Sequence, residues 1–147
     1  MYDILNAYLE NGLKIILHKI PGAKTIACGL WVAQGSKNES DSNSGLSHLV
    51  EHLVVNPVIS GNEVYQRLIE EATNSGVVYN AATTKEYTCF YFTGLSNTLD
   101  LCVKCLSNIA MNNRVFPKDM FENEKKVVIQ EANKPAILLI ELLNELK

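Results

Sequence analysis

The chain has 147 residues, a formal net charge of −3, an apolar fraction of 47% and a charged fraction of 20%. That is one domain or part of one, with apolar content enough for a packed core, which excludes a disordered chain. The slight acidity argues against a nucleic-acid or anionic-membrane partner, and the lack of an apolar run of about 18 residues argues against a membrane span.

Met1-Tyr2-Asp3-Ile4 shows no basic region leading into an apolar stretch. No signal peptide is visible, and the expected location is cytoplasmic or organellar. Apolar runs over 8–10 and 13–20 flank Asn11-Gly12, a hairpin signal in which both central residues take positive φ. Residues 25–34 form a second strand candidate, with Ile26, Cys28, Leu30 and Val32 alternating. The polar stretch 35–44 reads as a loop that leads into a helix over 45–55, with Asn43 or Ser44 as its N-cap. This helix stops before Asn56-Pro57. Leu46, Leu49, Val50, Leu53, Val54 and Val55 make it apolar on nearly all sides, which predicts burial.

Asn62 can cap a further helix that ends near Gly76. Residues 77–83 and 86–93, rich in Val, Tyr, Phe and Thr, read as two strands of a hairpin. Ser96 caps a helix to about Met111, and Pro117 opens another that runs to about Asn133. Residues 136–147 form a last amphipathic helix, with Ile137, Ile140, Leu143 and Leu146 at about turn spacing. The order predicts an α+β fold, a mostly antiparallel sheet with helices packed on one face. Cys102-x-x-Cys105 could suggest a zinc knuckle or a redox pair, but Cys28 and Cys89 stand alone. Leu99, Cys102, Val103, Leu106 and Ala110 follow helical spacing, so these cysteines read as small core residues. Reduced thiols fit a cytosolic protein.

His48, Glu51 and His52 lie within five residues, and they include two of the three histidines. On a helix, positions i and i+4 share a face, so both imidazoles can reach one metal ion with Glu51 beside them. The spacing is the inverse of H-E-x-x-H. The bland alternative is two helix-face histidines making hydrogen bonds, but burying these groups on an apolar helix without a purpose is expensive. Glu51 is better placed as a general base than as a ligand. A catalytic zinc needs a third ligand from elsewhere. His18 is one candidate, or an ordinary, partly exposed strand histidine. Glu124 and Glu131 are seven residues apart and share a helix face, so Glu131 is another. They also fit a solvated face pairing with Lys125 and Lys126.

In these residues the chain resembles the N-terminal part of the pitrilysin/insulin-degrading enzyme/mitochondrial processing peptidase superfamily of inverzincin zinc metallopeptidases. Five blocks carry the resemblance in order: Asn11-Gly12-Leu13-Lys14; Trp31, Gly35-Ser36 and Glu39; the motif stretch 45–53; Asn80-Ala81 with Thr83 and Thr88; and 124–131. The resemblance implies that 1–147 is the N-terminal portion of a catalytic domain, incomplete relative to the family's full domain. It implies Zn2+ bound by His48, His52 and Glu131, with Glu51 as base and Glu124 as a supporting acidic residue of the catalytic site. A peptide substrate would add as a strand near Asn80 and Ala81. Members are paired halves around a chamber, so a second half or a partner subunit, in a homo- or hetero-oligomer, is expected. Leu138-Leu139-Ile140 and Leu142-Leu143 are a candidate docking surface. The chain departs from the family in its loop over 56–61, where a Gly-Thr type loop is expected. The leading expectation is a zinc endopeptidase. The alternatives are a non-catalytic scaffold or assembly subunit, and a small module with a structural zinc. A structural site is normally closed by four protein ligands, and only three good candidates are found.

Overall fold

The computed structural model describes residues 3–111 and 115–145, with side chains as far as residue 134 in the final helix. Strands β1 (Asp3–Tyr8) and β2 (Lys14–Lys19) form an antiparallel hairpin in register from Asp3↔Lys19 to Tyr8↔Lys14. Its turn differs from the expected one. Leu9 N–H donates to the Leu13 carbonyl (2.9 Å), so the loop holds three residues, and only Gly12 takes positive φ (85°). A tight turn closed by one left-handed glycine suits a three-residue loop, and Asn11 instead accepts from Leu13 N–H through its side chain.

Strands β3 (Thr25–Val32), β4 (Val78–Thr83) and β5 (Thr88–Leu95) make a second antiparallel sheet in the order β3-β5-β4. Alternation turns Ile26, Cys28, Leu30, Tyr79, Ala81, Phe90 and Phe92 toward one face. Helices α2 (Glu63–Asn74) and α3 (Leu99–Met111) pack on it through Tyr65, Ile69, Ala72, Cys102, Cys105 and Ile109. Asn62 caps α2 as expected, accepting from Tyr65 N–H at 3.0 Å. A short 3-10 turn over Ser96–Thr98 precedes α3. The cysteine pair is core material. Burial, reinforced by neighbouring thiols, pushes Cys105 up to about 11 and Cys28 up to about 12, so both stay protonated and inert at neutral pH.

The motif helix α1 (Leu46–Val55) lies beside β4 and against α4 (Lys118–Glu145). Leu49 and Leu53 of α1 meet Ile59 and Val128 in a second buried cluster, flanked by Phe116, Met120 and Phe121. Two expectations are corrected. Helix α1 is not buried all round, since Leu46 and Val50 are each 45% exposed. The separate helices expected before and after Pro135 are one continuous helix. Proline removes an N–H, at a typical cost of about 3 kcal/mol, but the Leu- and Glu-rich residues beyond it are strong helix formers that carry the helix on. The side chains of the expected docking surface, 138–143, lie outside the described residues.

The start of α1 is also corrected. Its N-cap is Gly45, with φ 86°, a conformation that a side chain disfavours. The capping oxygens come from Glu39 six residues earlier. Oε2 accepts from Gly45 N–H (2.7 Å) and Oε1 from Ser47 N–H (2.6 Å). Both are otherwise orphan donors of a helix start. Upstream, Gly35 brings the chain against the β4–β5 turn, where Ser36 N–H donates to the Thr84 carbonyl (3.1 Å) and Lys37 N–H to the Lys85 carbonyl (2.9 Å). A Cβ on Gly35 would stand 2.4 Å from that Thr84 oxygen.

Gly35→Ala is therefore expected to destabilise the protein by roughly 1–3 kcal/mol in chemical unfolding, because backbone on both sides has to part. An unchanged midpoint would show that this contact is not needed. A second expectation concerns Glu39. Partial burial works against its charge, but the Ser47 N–H and hydroxyl, Gly45 N–H and His48 outweigh it and hold the carboxyl below its ordinary value of 4.5. A group whose pKa is lowered by folding stabilises above its unfolded value and loses that contribution as pH falls through the folded one. Glu39→Gln should cost about 1 kcal/mol at neutral pH. The difference in melting temperature from the parent should shrink below about pH 4.5. A gap that stays constant to pH 3 would contradict the charged cap.

Candidate metal centre

Helix α1 is amphipathic in an uncommon way. Leu49 and Leu53 anchor one side against α4, Ser47 and Glu51 face the β4 side, and His48 and His52 occupy the sector between. The histidines therefore open into the cleft formed by α1, β4 and α4. On α4, Val128 is the residue packed on α1, and Glu124 and Glu131 flank it at one-turn spacing on the same face. That hydrophobic packing, with Met120 and Phe121 of α4 alongside Val128, delivers both carboxylates to the histidines.

The distances describe a closed triangle. His48 Nε2 and His52 Nε2 are 3.1 Å apart, and Glu131 Oε2 lies 3.5 Å from each. Ligand atoms about 2.0–2.1 Å from a tetrahedral zinc stand roughly 3.3 Å from one another, so the donor set fits that ion. These three side chains can together hold a metal. The hydrogen-bond alternative accounts for less, since an imidazole Nε2–H can be given to only one of its two neighbours.

Glu124 acts on the other side of His52. Its Oε2 is 3.0 Å from Nδ1. A carboxylate only accepts, so Nδ1 carries the proton and, in the neutral ring, Nε2 keeps its lone pair for a metal. His52 and Glu124 are the more enclosed pair, and His48 and Glu131 are the more open one.

Glu51 is buried at 8% exposure, and its Oε2 accepts from Thr83 Oγ1 at 2.5 Å. Asn80 and Ala81 lie on the same strand β4. His18 is exposed on β2 opposite Ile4 and does not join the cluster. The loop over 56–61 turns on Asn56, whose side chain accepts from Val58 N–H (3.0 Å), and places Ile59 under α1. Two contributors were not assigned roles from sequence, Thr83 and Glu39. Strand alternation was the signal available for Thr83, since it shares a face with Ala81 and Tyr79. A cap six residues outside its helix has no comparable signal.

The chain is similar to known proteins along most of its length. The profile of the family described as insulinase (peptidase family M16) matches residues 14–139. Similar proteins include an uncharacterized zinc protease of Bacillus subtilis, YmxG, 29% identical over 122 residues that make up 83% of this chain and 29% of that protein. The beta subunit of the mitochondrial-processing peptidase of Neurospora crassa is 31% identical over 124 residues, 84% of this chain and 25% of that protein. The fold is shared with a protease from Helicobacter pylori, at a TM-score of 0.78 and 22% identity, covering 90% of this chain and 31% of that one. The chain thus spans about a quarter to a third of the length of these proteins. The zinc expected from the sequence accords both with a triad able to hold a metal and with relatives named as zinc proteases. With the match running over 14–139, the chain belongs to the insulinase family, peptidase family M16.

Proposed function

We propose that residues 1–147 are the N-terminal portion of a zinc metallopeptidase catalytic domain that hydrolyses bonds in peptides or unfolded segments. The observation that carries this reading is the triangle of His48, His52 and Glu131 with the buried carboxylate of Glu51 beside it. Zinc, when bound there, polarises a peptide carbonyl and makes a water molecule more acidic. Glu51 takes the proton from the attacking water and passes it to the leaving amine as the C–N bond breaks. Glu124 holds the His52 ring in the tautomer that presents Nε2.

The substrate would pair with the edge of β4. Among the described residues this strand pairs only with β5. Inward and outward N–H groups alternate along it, and Thr84 N–H closes the hairpin onto the Tyr87 carbonyl, so that of Ala81 points to the open edge. There it donates to Asn80 Oδ1 at 2.8 Å, a bond that a peptide carbonyl can replace. Recognition through main chain would leave a broad choice of side chains. A second half or a partner subunit would complete the site. The short span relative to the relatives supports this, as does a relative that is itself a subunit. So does the β1–β2 hairpin, which exposes Ile4 and Ile16 on one face and Leu5 and Leu17 on the other. Such a two-stranded ribbon is marginal unless something covers it. Among the described residues no helix is long and apolar enough to cross a membrane.

The purified protein is expected to bind zinc near one equivalent, and His48→Ala or His52→Ala should abolish it in metal analysis. Glu124→Gln should weaken zinc binding about 10- to 100-fold in competition with a chelating dye, with the three ligands intact. Glu51→Gln should keep zinc and lose cleavage of a mixed peptide library, assayed with and without chelator and with candidate partner chains. Cleavage by Glu51→Gln would remove its role as base. Bound zinc without cleavage in any pairing would favour the non-catalytic assembly subunit instead.

A further inference from the structure

We infer that Thr83 is a positioning residue for the general base, holding one carboxylate oxygen of Glu51 so that the other is left to take the proton. The inference rests on the role proposed above for Glu51. Thr83 Oγ1 lies 2.5 Å from Glu51 Oε2, the length of a charge-assisted O–H···O⁻ bond. A second neighbour, Thr88 Oγ1, is 3.3 Å away and itself donates to the Gln34 carbonyl at 3.0 Å. Each hydroxyl has one proton to give. A carboxylate can only accept, so the Thr83 proton goes to Glu51 and that of Thr88 to Gln34.

Thr83 is also held in place itself. It is the last residue of β4, directly opposite Thr88, and the turn that follows is tied by Thr84 N–H to the Tyr87 carbonyl (2.8 Å) and by Ser36 N–H to the Thr84 carbonyl. A glutamate on a helix has three rotatable bonds, and α1 alone fixes none of the outer ones. The bond to a hydroxyl on a sheet residue fixes Oε2 relative to β4, the strand whose edge is offered to the peptide. Base and substrate are then set from the same strand. Thr83 bonds to none of the three candidate ligands, so removing its hydroxyl should disturb the base and spare the metal.

The test compares Thr83→Val, Thr83→Ala and Thr83→Ser with the parent and with Glu51→Gln, each zinc-loaded and in the pairing that cleaves. Val and Ala should lower kcat roughly 10- to 100-fold, the worth of a hydrogen bond to a charged group, with KM and zinc stoichiometry close to the parent. Ser should restore kcat to within a few-fold. Crystal structures of the metal-free proteins give a readout independent of turnover. The Glu51 carboxylate should hold one position in the parent and Thr83→Ser, and be displaced or split in Thr83→Ala. An unmoved carboxylate, an unchanged kcat in Val and Ala, or a loss in Ser as large as in Ala would each overturn the inference. A parent that does not cleave would count against the peptidase reading, and the crystallographic comparison would still decide the positioning of Glu51.

Discussion

The contact on which the site depends is the packing of Val128 on Leu49 and Leu53. It is a plain hydrophobic contact, but the residues beside it are not. On α1 the neighbours of the leucines are His48 and His52, and on α4 the neighbours of the valine are Glu124 and Glu131. Pressing two apolar surfaces together therefore brings two imidazoles and two carboxylates into one cleft. The polar groups would repay little of the cost of their own desolvation in the absence of a metal. Burial of Leu49, Leu53, Ile59 and Val128 supplies the driving force, on the order of 1.5–3 kcal/mol for each large side chain.

A second set of contacts fixes α1 from its other side. Glu39 closes the helix start, Gly35 lets the preceding segment lie on the β4–β5 turn, and Thr83 of β4 reaches Glu51. The polar segment before the helix, the turn after β4 and the buried glutamate form one hydrogen-bonded unit. This unit ties Glu51 to the sheet, while the Val128 contact ties the histidine side of α1 to α4.

The outer surface has the opposite character. Trp31, Val78, Leu46 and Val50 are exposed, as are both faces of the β1–β2 hairpin. Exposed large apolar side chains on both faces of a two-stranded hairpin are characteristic of a region that another part of a protein or another chain covers. It coexists with two well-packed clusters in the interior, so the exposure is a property of particular faces and not of loose packing.

Much of this was legible in the sequence. Alternation in 25–34 and helical spacing around Cys102 and Cys105 located β3 and the core of α3, because periodicity reports which face is buried. The spacing of His48, Glu51 and His52 put two candidate ligands and a carboxylate on one stretch of helix, because one helical turn fixes their relation without help from the rest of the chain. Glu124 and Glu131 were placed on one face in the same way. That this face meets α1, and not solvent beside Lys125 and Lys126, was decided by the tertiary packing of Val128. So were the cap from Glu39 and the hold of Thr83 on Glu51, and the exposure of Leu46 and Val50. Local geometry is written in short-range spacing, whereas contacts 72 or 32 residues apart in the chain depend on which apolar faces find each other.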